Sequence, residues 1–257
     1  MTRAPIAAPE TAADYSPPAE GRMPARRMSL TPELVALVHR AVEDPGPIAG
    51  VDYQTDDDYE RMVDGLLATH PPGEDAWLFA FGSLIWKPEC EHTEESPGVA
   101  RGWHRSFCFR IRRYRGSEEC PGLMMSLDRG GQCKGMLYRM PAAGLRQQLH
   151  KLCRRETTVK PANTLPRWVT VMRDGAPVRA IAFVINRGSR AYTGKLAPEE
   201  IAAVLSRACG HWGSGAEYLF NTVRKLEEHG MHDRYLWRLQ RLVARRIALD
   251  HGLSAPA

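Results

Sequence analysis

The chain has 257 residues, 43% of them apolar and 25% charged, with 35 basic against 30 acidic side chains and a net charge of +5. That length suits one sizeable domain with extra segments, or two small ones. The basic excess falls well short of a dedicated nucleic-acid binder, and no apolar run approaches the roughly 18–20 residues that span a bilayer.

The opening "MTRAPIAAPETAADY" lacks a basic start followed by an apolar stretch, so no secretory signal is expected. Residues 1–28, rich in Ala, Pro and Arg without periodicity, read as a disordered arm. Residues 29–75 read as a helical extension. Within it "SLTPELVALVHRAV" forms a helix capped by Ser29 or Thr31, with Val35, Val38 and Val42 on one face. A second helix, "DDDYERMVDGLLATH", places Asp56, Asp57 and Asp58 at its positive end.

From residue 76 to about 250 strands predominate, then helices. "WLFAFGSLIWKPE" is apolar but broken at its centre by Gly82 and Ser83. "RSFCFRIRR" alternates and sets Phe107, Phe109 and Ile111 on one face. "GLMMSL" and "CKGMLYRM", separated by "DRGGQ", predict a hairpin, and so do "RWVTVM" and "VRAIAFVI" around "RDGAP". "LRQQLHKLCRRE" is helical, striped by Leu145, Leu149 and Leu152. After "LAPEEIAAVLSRA" two long helices follow, near residues 214–229 and 233–251. The fold class is α+β: a small, mostly antiparallel barrel of short strands surrounded by helices.

Motifs taken singly carry little chemistry. Gly82 lets a backbone approach a ligand, and with the Ser83 hydroxyl and nearby N–H groups it can cradle a carboxylate, though a lone Gly-Ser also suits a β-bulge. Glu156, after Arg154 and Arg155, reads as a solvated helix end unless partial burial makes it a general base. There is no H-E-x-x-H and no Cys/His cluster at zinc spacing, so no metal is expected. His229 and His232 suit capping or surface roles. The arginines of "RSFCFRIRRYRG" fall mostly on a solvent face by strand alternation, some within reach of an anionic substrate. The six cysteines form no C-x-x-C and are expected to be reduced thiols in a cytosol.

Taken in order, "WLFAFGSLIWKPE", "GVARGWHRSFCFRI", "RGSEECPGLMMSLDRGGQCKGMLYRM", "LCRRE", "PRWVTV", "AIAFVINRGSRAYTGKL" and "GHWGSGAEYLFNTVRKLEEHGMHDRYLWRLQRLV" resemble the ChaC-type glutathione-specific γ-glutamylcyclotransferase family, over residues 77–243. The resemblance implies a closed barrel with helices around it, and an enzyme that cyclises the γ-glutamyl group of glutathione to release 5-oxoproline and Cys-Gly. It implies no cofactor or metal; with the charge, hydropathy and cysteine readings above, a cytosolic monomer or weak homodimer that binds neither nucleic acid nor membrane is expected. It makes Glu156 the acid/base and Phe81, Gly82, Ser83 and Leu84, led in by Phe79 and Ala80, the γ-glutamyl loop; Tyr192 and Tyr218 match pocket-lining positions.

Two departures stand out. Phe81 occupies the place of the family's usual tyrosine, a lost hydroxyl worth on the order of 1 kcal/mol if it touched substrate. "TTVKPANTLPRWV" lacks the tyrosine usual after the glutamate. Two further readings therefore stay open: a cyclotransferase for another γ-glutamyl amine or dipeptide, or a catalytically weak γ-glutamyl-binding regulatory module.

Overall fold

The structure, a computed structural model, describes residues 27–254 and residue 256. The arm expected over residues 1–28 lies outside the described residues except for Arg27 and Met28, and Met28 packs on the core. Helix α1 (Pro32–Val38) is capped by the Thr31 hydroxyl, which accepts from the Leu34 N–H. It is shorter than its sequence pattern because His39 turns extended and Arg40 reaches across to the Arg207 carbonyl. After the two-residue strand β1 (Asp52–Tyr53), helix α2 (Asp56–Leu67) starts from a capping box in which Thr55 and Asp58 satisfy each other's backbone N–H groups.

Strand β2 (Ala76–Ala80) runs into a single helical turn, α3 (Ser83–Trp86), with Gly82 at its cap, so the Gly-Ser break ends a strand instead of bulging it. Two long strands follow, β3 (Glu94–Ile111) and β4 (Gly122–Met140). Helix α4 (Leu145–Glu156) buries Leu145, Leu149 and Leu152 as its pattern requires. Short β5 (Val159–Lys160) pairs with β1, and β6 (Thr164–Arg173) and β7 (Ala176–Ile185) form the expected hairpin. Its turn uses Asp174 and Gly175 at φ of 47° and 83°, the left-handed pair favoured between twisted strands. Helix α5 (Pro198–Leu205), the two-residue strands β8 (Cys209–Gly210) and β9 (Gly213–Ser214), and helices α6 (Gly215–Glu228) and α7 (Arg234–Asp250) complete the chain.

The strands close in the order β2-β4-β3-β6-β7, every ladder antiparallel except β7 on β2, which seals the barrel, and a single β4–β7 contact. Phe79, Ala100, Leu127, Leu137, Val171 and Ala182, drawn from all five strands, fill the interior. The opposite strand faces, with Leu78, Tyr138 and Phe183 among them, join the helices in a larger shell. Burial of each Val, Leu or Phe among them is worth about 1.5–3 kcal/mol.

Two expectations fail, both through bulges. "GLMMSLDRGGQCKGMLYRM" is one continuous strand and not a hairpin. Gly130 and Gly131, at φ of 106° and 65°, place two residues opposite Gly102 alone, between the pairs Trp103–Arg129 and Arg101–Gln132. The 18-residue β3 templates both halves of β4, and the extra residue bends the ladder without reversing it. A second register shift, between Phe107 and Phe109, breaks the alternation expected there. Phe107 and Cys108 are both fully buried, while Phe109 and Ile111 are re-aimed toward a cavity.

Candidate active site

A cavity of about 1280 Å³ opens where the end of β2, the end of α4 and the segments after β3 and β7 converge. Phe81, Gly82, Ser83, Leu84, Glu156 and Tyr218 all line it, although they come from three separate parts of the sequence. Phe79, Ala80 and Tyr192 do not lie on its wall. Phe79 fills the barrel interior and Ala80 the surrounding shell, because a strand turns successive residues to opposite faces. The Tyr192 hydroxyl donates to Asp128 at 2.9 Å, beside the Arg187–Asp128 ion pair.

The turn is held from two sides. The Arg105 side chain, 2% exposed, donates through Nε to the Phe81 carbonyl at 2.7 Å and pairs through Nη1 with Asp233 at 2.7 Å. Arg105 thus ties the turn to the cap of α7, and it corrects the expectation of a solvent-facing arginine. Since the peptide is planar and trans, drawing the Phe81 carbonyl toward Arg105 directs the Gly82 N–H the other way. On the far side the Tyr218 hydroxyl accepts the Ser83 N–H. A Cβ at residue 82 would lie 2.7 Å from that hydroxyl, so only glycine allows the approach. Phe81 has its ring against the barrel core, and the hydroxyl that rests on the turn belongs to Tyr218.

Glu156 ends α4, and its side chain is 22% exposed. Burial raises its pKa, the nearby Glu89 charge adds to the rise, and Arg155, 3.1 Å away, offsets part of it. Glu89 is affected in the opposite net direction: burial pushes it up, but Lys87 and Arg155 together hold it below the usual carboxylate range. Two neighbouring carboxyls are therefore shifted apart, Glu89 downward and Glu156 upward. Burial and the charge of Glu156 also push the Tyr218 phenol well above its ordinary value, so it stays protonated.

Arg155 organises this corner. It bonds the Ser83 hydroxyl at 3.2 Å, the Lys87 carbonyl at 3.1 Å, Glu89 at 2.8 Å and Glu156. Sequence reading gave no role to Arg155 beyond its place beside Glu156. Glu89, at a left-handed φ of 51°, carried no signal at all. Nor did the segment 44–53, whose Ile48, Val51 and Tyr53 face the cavity. Asp44 fastens one end of it by accepting from Arg113 Nε and Nη2 at 2.7 and 2.6 Å, and β1–β5 pairing fastens the other. Arg113 holds the Asp44 carboxyl down to about 2. Trp212, 54% exposed, stands at the mouth against Tyr114.

Among the described residues no cluster of three or more His, Cys, Asp or Glu can hold a metal ion, and no helix is long and apolar enough to cross a membrane. The six cysteines are free thiols.

Barrel and cavity together define a closed β-barrel protein with a cavity of small-molecule size, on whose wall stands a carboxyl raised above its ordinary pKa. A solved structure of a γ-glutamyl cyclotransferase specific to glutathione from yeast shares this fold, with a TM-score of 0.61 at 18% identity over 68% of this chain and 100% of that one. Residues 76–246 match the family described as ChaC-like protein. The chain belongs to that family. It is 37% identical over 168 residues to the glutathione-specific γ-glutamylcyclotransferase of Escherichia coli K12, covering 65% of this chain and 72% of that protein. It is 32% identical to the human glutathione-specific γ-glutamylcyclotransferase 1 over 56% of this chain and 66% of that one.

Proposed function

We propose that this protein is a glutathione-specific γ-glutamylcyclotransferase with Glu156 as its acid/base. The observation that carries the reading is the raised Glu156 carboxyl facing the same cavity as the Gly82-Ser83 turn.

The substrate's own α-amino group attacks its γ-carbonyl carbon, a C–N bond closes the five-membered ring, and the C–N bond to cysteine breaks. Intramolecular attack supplies proximity once the glutamyl chain is held folded. The ammonium gives one proton to Glu156, which returns it to the departing amine. The attacking nitrogen sheds a second proton as it becomes the lactam N–H, and the freed amine takes up one in turn, so 5-oxoproline and Cys-Gly form without net uptake of water or protons. A carboxylate with a raised pKa suits both steps. The Gly82 N–H, turned away from Arg105, is the donor available to the developing oxyanion, and Tyr218 holds the turn in place. Six free thiols fit a reducing cytosol, where glutathione is abundant as substrate.

Incubation with glutathione is expected to yield 5-oxoproline and Cys-Gly, and Glu156→Gln to abolish the product while leaving the circular dichroism and melting profile intact. Undiminished turnover in that variant would sink the mechanism. A panel of other γ-glutamyl amines and dipeptides, none outcompeting glutathione, would confirm the substrate.

A further inference from the structure

Of the basic side chains lining the cavity, most are already neutralised. Arg112 pairs with Glu118, Arg113 with Asp44, Arg115 with Glu217, Arg154 with Asp56, and Arg155 with Glu89 and Glu156. Lys87 and Lys160 are paired as well, with Glu89 and Asp58. Arg110 and Arg190 differ: both line the cavity, both are exposed, and neither has a carboxylate partner among the described residues.

The two lie on adjoining segments. The Arg110 N–H donates to the Ala191 carbonyl at 2.9 Å, and Phe109 bridges Tyr192, so the segment after β7 is laid along the end of β3. That rim is tied to the chemistry. Ser189, next to Arg190, bonds Asn163 at 2.5 Å, and the neighbouring Thr164 hydroxyl donates to the Glu156 carbonyl. An extended tripeptide reaches about 10 Å, so a substrate with its γ-glutamyl end at Gly82 projects its far end outward along the cavity.

We infer that Arg110 and Arg190 form a carboxylate-docking subsite that receives the C-terminal carboxylate of the γ-glutamyl peptide, and so select peptides over simple γ-glutamyl amines. The inference rests on the cyclotransferase reading for the direction in which substrate lies. Two guanidinium forks on adjoining segments can each present paired N–H donors to one carboxylate. Every other cation on the wall is spoken for within the protein, which leaves these two for a ligand. Exposed pairs of this kind are weak singly and screened by salt, so the expected effect is on affinity and not on the chemical step.

The test compares glutathione with its ethyl ester at the glycine carboxylate, on wild type, Arg110→Ala, Arg190→Ala and the double variant. KM for glutathione is expected to rise about three- to fivefold in each single variant and about tenfold in the double, with kcat moving less than twofold. The ester, already weaker on wild type, should lose nothing further, and Arg190→Lys should recover part of the affinity for glutathione. Equal losses for acid and ester, or no loss for either, would overturn the subsite. If wild type turns over neither compound, the cyclotransferase reading has failed. Calorimetric binding of the same two compounds to wild type and the double variant then decides the subsite separately, by whether the acid-over-ester preference disappears.

Discussion

The two ends of the cavity are built on opposite principles. At the inner end each charge is committed: Arg155 is shared among Ser83, Lys87, Glu89 and Glu156, and Arg105 is locked to Phe81 and Asp233. At the outer rim Arg110 and Arg190 are exposed, with no carboxylate partner among the described residues. A closed set of pairs fixes geometry and pKa, which the reaction needs before substrate arrives. Open charges instead recognise what arrives. The inner end should therefore govern kcat and pH dependence, and the rim KM and salt dependence.

The largest effect expected is loss of kcat by 10²–10⁴-fold in Glu156→Gln, read by release of 5-oxoproline. Next comes Gly82→Ala. Its new methyl would meet the Tyr218 hydroxyl at 2.7 Å and displace the turn, at a cost of about 10²-fold. Combining it with Tyr218→Phe removes the clash, so the double variant should be less impaired than the two single losses multiplied together. Strict multiplication would mean that the turn and the phenol act independently.

Variants around Glu156 should move its titration in opposite directions. In the proposed mechanism Glu156 must be ionised to take the first proton, so kcat/KM is expected to rise with pH through its pKa. Arg155 lowers that pKa and Glu89 raises it. The acid limb of kcat/KM should accordingly move to higher pH in Arg155→Met and to lower pH in Glu89→Gln. Shifts of the same sign would remove Glu156 from the profile. Smallest of all, raising salt from low to physiological strength should increase the KM for glutathione modestly in wild type and hardly at all when Arg110 and Arg190 are both alanine.

What the sequence made legible follows physical range. The helices α4, α6 and α7 and the β6–β7 hairpin rest on local periodicity, caps and a left-handed Asp-Gly turn, and all stand close to where the pattern puts them. The course of β4 was misread because a Gly-Gly pair suits a turn or a bulge equally. Only the long partner strand decides between them. Arg105 was misread for a related reason, since its burial depends on Asp233, which is 128 residues away. The Phe81 substitution looked like a lost hydroxyl; in the folded chain a phenol from α6 rests on the same turn.

By itself the sequence determined the α+β class, the places of Gly82, Ser83 and Glu156, and their family resemblance, because each is written in contiguous residues. Tertiary structure decided what those residues can do. It half-buried Glu156 beside an ionised Glu89, set Tyr218 against Gly82, carried residues 44–53 across the cavity and left Arg110 and Arg190 without carboxylate partners among the described residues. Electrostatics and desolvation act over a few ångströms of space, and no spacing along the chain encodes which groups meet there.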